Sequence, residues 1–273
     1  MLETLSRRVI DVKKPLRSLL FLTLFAATHA YAAMKTKPVE WQVDGKSYAG
    51  VVVYDDAGRV KRPGLLMVPD WLGINEASLA KARQQAGTQY VVLVVDMYGK
   101  GVHPKNDVEA KAEVMKLYPK PQLMRDRMAA ALATFKAQSG KVPLDAGKIG
   151  AFGYCFGGSS VLELARSGAP LAGIVSFHGG LSTQSPAAAN SVQTPLLVLN
   201  GANDKGVAPD IVPFEKEMDN AGADWQFVNF SGAEHCFALE GKSSDGCRYN
   251  ERAARRAYVM MHTFFKERFA ATP

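Results

Sequence analysis

Three residues able to attack a carbonyl and move a proton follow one another along this chain: Cys155, then Asp204, then His235. Cys155 stands in Gly153-Tyr154-Cys155-Phe156-Gly157-Gly158, a G-x-C-x-G pattern that opens where the apolar run Ile149 to Phe152 ends and leads into a helical stretch. Small residues two before and two after a nucleophile let the chain turn sharply from strand to helix and expose the side chain, the arrangement known as a nucleophile elbow. The free N–H groups and positive dipole end of the following helix favour a thiolate and an oxyanion beside it. Taken alone, the same pattern also describes an inert cysteine buried in a tight turn.

The two later residues change its weight. Asp204 comes just after the apolar run Leu196 to Leu199, within Asn200-Gly201-Ala202-Asn203-Asp204. His235 comes just after the run ending at Phe230, within Ser231-Gly232-Ala233-Glu234-His235. Nucleophile, acid and His in this chain order fit the order of a catalytic triad, against the alternative of a coincidence, and the carboxyl ends of parallel strands are where open α/β sheets bind ligands. Asp210 and Asp219 fall on the next helical stretch and aim less well. Of the five His, His29 lies in the leader, His262 within the last helix, and His103 and His178 before the acid. The expected chemistry is nucleophilic: Cys155 attacks, His235 moves the proton and Asp204 orients the imidazole.

Holding three such residues together takes a sheet. Short Val/Ile/Leu runs at Leu65 to Val68, Val91 to Val95, Ile149 to Phe152, Gly173 to Phe177 and Leu196 to Leu199 are apolar on both faces, as strands of a covered parallel sheet must be. Glu40 to Val43, the alternating Tyr48 to Tyr54, and Trp225 to Phe230 read as further strands. Helical patterns lie between them at about Glu76 to Gln85, Asp107 to Gln138 interrupted at Pro119 and Pro121, Ser159 to Arg166, Pro209 to Asn220 and Arg252 to Phe269. This alternation predicts an α/β domain, and no linker divides it.

The 47% apolar and 22% charged residues exclude a disordered, collagen-like or coiled-coil chain. The net charge of +7 is partly a leader's: Arg7, Arg8, Lys13, Lys14 and Arg17 precede the apolar Leu19 to Ala27, with small residues at Ala30 and Ala32. That is the layout of a secretory signal peptide. A membrane anchor is the alternative, but the apolar run falls short of the roughly 20 residues a spanning helix needs. The expected organisation is a signal peptide over residues 1–32 and one domain over 33–273, exported to the periplasm or secreted. Without the leader the charge drops to +4. No Lys/Arg cluster with interleaved aromatics remains, so a nucleic-acid partner is not expected.

The elbow, the Asp204 loop and His235-Cys236-Phe237-Ala238 resemble the dienelactone hydrolase family, as do Pro69-Asp70-Trp71-Leu72-Gly73-Ile74-Asn75, Asp96-Met97-Tyr98 and Gly222-Ala223-Asp224-Trp225. The resemblance covers most of the chain after the leader. It implies an α/β-hydrolase fold, a mostly parallel central sheet of about eight strands flanked by helices. It also implies cleavage of small esters or lactones through an acylated cysteine, with no metal or cofactor, and oxyanion donors at the backbone N–H groups of Phe156 and Trp71. Where the best-known members have Glu to deprotonate the thiol, this chain has Asp70, which could instead be a loop carboxylate capping the next helix. Where they have two Arg gripping a substrate carboxylate, the matching positions are Lys100 and Leu239, and a solvated surface charge is the other reading of Lys100.

Cys236 and Cys247 flank a loop containing Gly241, Ser243, Ser244 and Gly246. In an oxidising compartment they are expected to pair, bracing the His235 segment and leaving Cys155 as the free thiol. Two free thiols are the alternative. The expected function is ester or lactone hydrolysis by a monomer acting on a small-molecule substrate. The rivals are a thioesterase or acyltransferase with the same triad, a silent member that binds a ligand or partner, and a thiol-redox protein, which would need a resolving cysteine near Cys155.

Overall fold

The computed structural model describes residues 34–58 and 60–271, so the leader assigned to residues 1–32 lies outside the described residues. Strands β1 (Met34–Val43) and β2 (Lys46–Asp55) form an antiparallel hairpin closed by Asp44 and Gly45. The apolar runs become β3 (Arg62–Val68), β4 (Val91–Val94), β5 (Leu144–Tyr154), β6 (Ile174–Phe177), β7 (Leu196–Gly201) and β8 (Trp225–Phe230). These six are mutually parallel, and β2 joins them antiparallel to β4. The eight-stranded order is β1-β2-β4-β3-β5-β6-β7-β8.

Side chains alternate across the sheet and feed two cores. Leu66, Val68, Val91 and Leu93 point to one, Leu65, Met67, Val92 and Val94 to the other. The helices are α1 (Glu76–Ala86), α2 (Asp107–Val114), α3 (Pro121–Lys136), α4 (Phe156–Arg166), α5 (Ile211–Asn220) and α6 (Glu251–Ala271). Met124, Met128 and Phe135 of α3, Val161 and Leu164 of α4, and Phe214 and Met218 of α5 fill the first core. Ala82 and Ala86 of α1 and Ala257, Met261 and Phe265 of α6 fill the second. All eleven residues of α4 are buried. Its charged residues survive there because they are paired: Glu163 accepts from Arg125 at 2.9 Å and from Arg166 at 2.9 Å, and Arg166 also grips Glu217 at 2.8 Å.

The helices and strands occur where the sequence predicts them, with shifted ends. The hairpin begins at Met34 rather than Glu40, because ladder hydrogen bonds continue through the polar Lys35 to Pro38 where apolar patterning stops. The stretch 107–138 is two helices, α3 starting with Pro121 at its first turn, where a missing N–H costs nothing. Helix α4 begins at Phe156, directly after the nucleophile, and not at Ser159. A two-stranded ribbon of β9 (Ser243–Ser244) and β10 (Cys247–Arg248) was not foreseen, being too short to carry a pattern.

Candidate active site

The elbow is built by close packing. Cys155 sits at φ 53° and ψ −117°, a strained conformation for a residue with a side chain. It is over-determined by its neighbours: its N–H donates to the Phe177 carbonyl at 3.0 Å, and its own carbonyl accepts from Ser159 N–H at 3.1 Å. Gly157 lies against the end of β3, where an added Cβ would run into the carbonyls of Val68 and Pro69. A Cβ on Gly153 would strike the Gly157 backbone. The obstruction is backbone, which cannot swing aside. Gly157→Ala is therefore expected to cost about 1–3 kcal/mol of stability by overpacking. Activity should fall further than the folded fraction, because the displaced segment carries Cys155. Denaturant midpoints and specific activity measure both, and a wild-type midpoint with wild-type activity would contradict this packing.

The loops after β7 and β8 are tied to each other. Ala202 N–H donates to Phe230 O at 3.0 Å and Asn203 N–H to Ala233 O at 2.8 Å. This stitching brings Asp204 and His235 together: Asp204 Oδ2 lies 2.6 Å from His235 Nδ1, and His235 Nε2 lies 3.1 Å from Cys155 Sγ. Asp204 is buried, and its other oxygen accepts from Gly206 N–H at 3.1 Å. Burial works against protonating His235. The hydrogen bond to Asp204, then that to Cys155, and the charges of both partners outweigh burial and raise its pKa to about 10.

Cys236 and Cys247 are joined in a disulfide, and Cys155 is the free cysteine. The bridge holds β10 beside the histidine, whose carbonyl accepts from Arg248 N–H at 2.9 Å. A cross-link closing so short a loop contributes about 2–3 kcal/mol in the chain-entropy account. On the far side His178 meets the His235 ring edge-on at 5.0 Å. His178 is fully buried, neither ring nitrogen has a partner among the described residues, and burial with the neighbouring His235 charge holds its pKa well below the usual range. A neutral ring at this place confines the His235 imidazole without competing for its proton.

A cleft of about 280 Å³ contains Cys155 and His235 and is also lined by Asp70, Trp71, Asp107 and Leu239. Asp70 does not cap the next helix; Asn75 does. Its Oδ1 accepts from Leu72 N–H at 3.0 Å, and burial raises its pKa against the opposing pull of that bond and of Lys242. The N–H groups of Phe156 and Trp71 have no acceptor among the described residues. Tyr98 braces both residues, its hydroxyl donating to Trp71 O at 2.7 Å and its ring stacking on Phe156 at 5.6 Å.

Lys100 is not brought into this group. Its N–H donates to Ser47 O at 2.8 Å and its ammonium pairs with Glu40 at 2.7 Å across the exposed hairpin edge, so it belongs to the surface. Sequence reasoning missed Lys242, a basic residue in the cleft lining, together with Asp107 at the start of α2. Lys242 lies in the loop between the two bridged cysteines, and that position was the one signal available. Among the described residues no cluster of three or more His, Cys, Asp or Glu could hold a metal ion, and no helix is long and apolar enough to cross a membrane.

Comparison with known proteins adds to this geometry. The family model described as the dienelactone hydrolase family matches residues 49–269. An uncharacterised protein of Caenorhabditis elegans is 32% identical over 158 residues, 54% of this chain and 95% of that protein. A protein of Methylorubrum extorquens provisionally named carboxymethylenebutenolidase is 27% identical over 218 residues, 75% of this chain and 72% of that one. The solved structure of a dienelactone hydrolase-like promiscuous phosphotriesterase from metagenomic libraries superposes with a TM-score of 0.80 at 30% identity, covering 86% of this chain and 98% of its own. With the family match running from β2 to the end of α6, the chain belongs to the dienelactone hydrolase family and is a hydrolase that acts on esters.

Proposed function

We propose that Cys155, His235 and Asp204 hydrolyse small esters or lactones through an acyl-cysteine. The observation that carries this reading is the unbroken contact from Asp204 through His235 to Cys155 Sγ, at 2.6 Å and 3.1 Å. A carboxylate only accepts, so Nδ1 keeps its proton against Asp204 and Nε2 is presented to the thiol. His235 takes the thiol proton and the sulfur attacks the carbonyl carbon, pushing an electron pair onto oxygen beside the N–H groups of Phe156 and Trp71. Collapse of this adduct expels the alkoxide, which is protonated by His235. Water then attacks the thioester carbonyl as His235 takes its proton, and the acid leaves with Cys155 restored. Asp70, made more basic by burial, faces the same cleft and assists in drawing off the thiol proton. We assign residues 1–32 to export, a reading supported by the disulfide, which belongs in an oxidising compartment.

Substrate charge tests this reading. Leu239 lines the cleft and offers no donor, Lys100 is absent from the lining, and the basic residue present, Lys242, is a point charge without the two-pronged grip of Arg. Neutral short-chain esters or uncharged lactones are expected to be hydrolysed with kcat/KM at least as high as a carboxylated dienelactone. Rates for both on one preparation decide it. A strong preference for the carboxylated lactone contradicts the substrate assignment, and no turnover of either contradicts the function.

Stability against pH tests the ion pair. An ordinary His titrates at 6.5, and His235 in the folded protein at about 10. A raised folded pKa means that the proton stabilises the fold fully below about 6.5 and that this contribution is lost as pH climbs towards 10. The difference in unfolding free energy between wild type and His235→Gln should shrink steadily across that interval. A difference that is constant or grows with pH would show that His235 carries no stabilised proton.

A further inference from the structure

A second cavity, of about 370 Å³, adjoins the cleft between the end of β3, one face of α1 and the loop after His235. Asp70, Leu239 and Lys242 line both spaces, so the two share a wall. Its walls include Met67, Pro69, Leu72, Ala80 and Tyr154, the last being the residue before the nucleophile. We propose that this cavity takes the apolar alkyl or aryl arm of the ester whose carbonyl is attacked at Cys155; the inference rests on the hydrolase reading above and names its substrate class.

Most of the polar groups around the cavity are already engaged, Gln84 and Lys242 excepted. Asn75 and Ser78 satisfy each other at the start of α1, with Asn75 Oδ1 accepting from Ser78 N–H at 2.9 Å and Ser78 Oγ from Asn75 N–H at 2.9 Å. Lys81 faces Glu240 at 3.8 Å and lies over the Tyr258 ring at 5.2 Å. Asp70 Oδ1 is held by Leu72 N–H. What remains for a ligand is mainly apolar surface, with room left by the small Ala77 and Ala80 along α1. Lys242, half-buried and without an ion-pair partner among the described residues, is a long flexible side chain at the boundary, able to swing aside and open the passage. A compact polar lactone would leave this space unused, whereas an ester with an apolar arm fills it.

Burying a methylene fully strengthens transition-state binding about three- to fourfold. The cavity is open along α1, so kcat/KM should rise at least about tenfold between a two-carbon and a six-carbon arm rather than by the full product. The test uses two series on the full-length mature enzyme, p-nitrophenyl acyl esters from acetate to octanoate and acetate esters of lengthening alcohols. The responding series identifies which side of the ester enters. Ala80→Phe, on the solvent-facing side of α1, should bring the octanoate-to-acetate ratio to within about twofold of one at an unchanged thermal midpoint. Ala77→Phe serves as the second blocking variant if Ala80→Phe misfolds. Flat profiles in both series, or an undiminished ratio in the blocked variant, overturn the proposal. If no ester is turned over, the hydrolase reading fails, and the cavity is read separately by binding. Octanoate, not acetate, should then slow alkylation of Cys155 by iodoacetamide in the wild type and not in the blocked variant, and equal rates would overturn the inference.

Discussion

Cys155→Ala is expected to lower ester turnover by at least about four orders of magnitude, because removing a nucleophile that acts as one unit with its base costs nearly the whole covalent contribution. Iodoacetamide should produce the same loss in the wild type by labelling one site per chain, since Cys236 and Cys247 are bridged and Cys155 is the free cysteine. Ala carries a Cβ as Cys does, so the strain at φ 53° is neither relieved nor increased and the fold should be kept. Activity assays on the variant, with circular dichroism to confirm folding, measure both statements. Cys155→Ser should also lose most activity, since a serine oxygen is smaller and less acidic and stands in a turn shaped for sulfur. Turnover within tenfold of wild type in Cys155→Ala would remove the nucleophile from this site.

Asp204→Asn should be almost as damaging, with kcat falling on the order of 10³ to 10⁴ and KM little altered. The substitution keeps the shape and the hydrogen bond to Gly206 N–H, but an amide can donate to Nδ1. That turns the imidazole into the other tautomer and leaves Nε2 protonated towards Sγ, unable to accept the thiol proton. The His235 pKa should fall as well, because its hydrogen bond to Asp204 is the largest influence raising it. Proton NMR of the His235 ring would report this independently of rate. A loss below tenfold would mean that another carboxylate of the cleft, Asp70 or Asp107, orients or relieves His235 in its place.

Much of this could be read from residues alone. The parallel strands were legible because a strand buried on both faces has to be an unbroken Val/Ile/Leu run, and the order of Cys155, Asp204 and His235 along those strands placed them at one edge of the sheet. The pairing of Cys236 and Cys247 was legible only as an expectation for an oxidising compartment, with two free thiols as the alternative. Chain position after β4 left Lys100 with two readings, because it says nothing of where a long side chain points; the surface reading fits here, where Glu40 on the neighbouring hairpin captures it. Lys242 was invisible for the complementary reason: it lies in an aperiodic loop whose path is set by the disulfide and the two-residue ribbon, features without a pattern of their own. The second cavity depends on how the face of α1 meets the loop after His235, a tertiary fact that no local pattern encodes.

Hydrolysis by this triad requires an acyl group carried by Cys155. Rapid quenching of the mature enzyme with an activated ester, followed by intact mass spectrometry and peptide mapping, tests it directly. The predicted result is a transient mass increase equal to one acyl group, located on the peptide containing Cys155 and absent from Cys155→Ala. Turnover with no adduct at any quench time, or an adduct mapped to another residue, would contradict it.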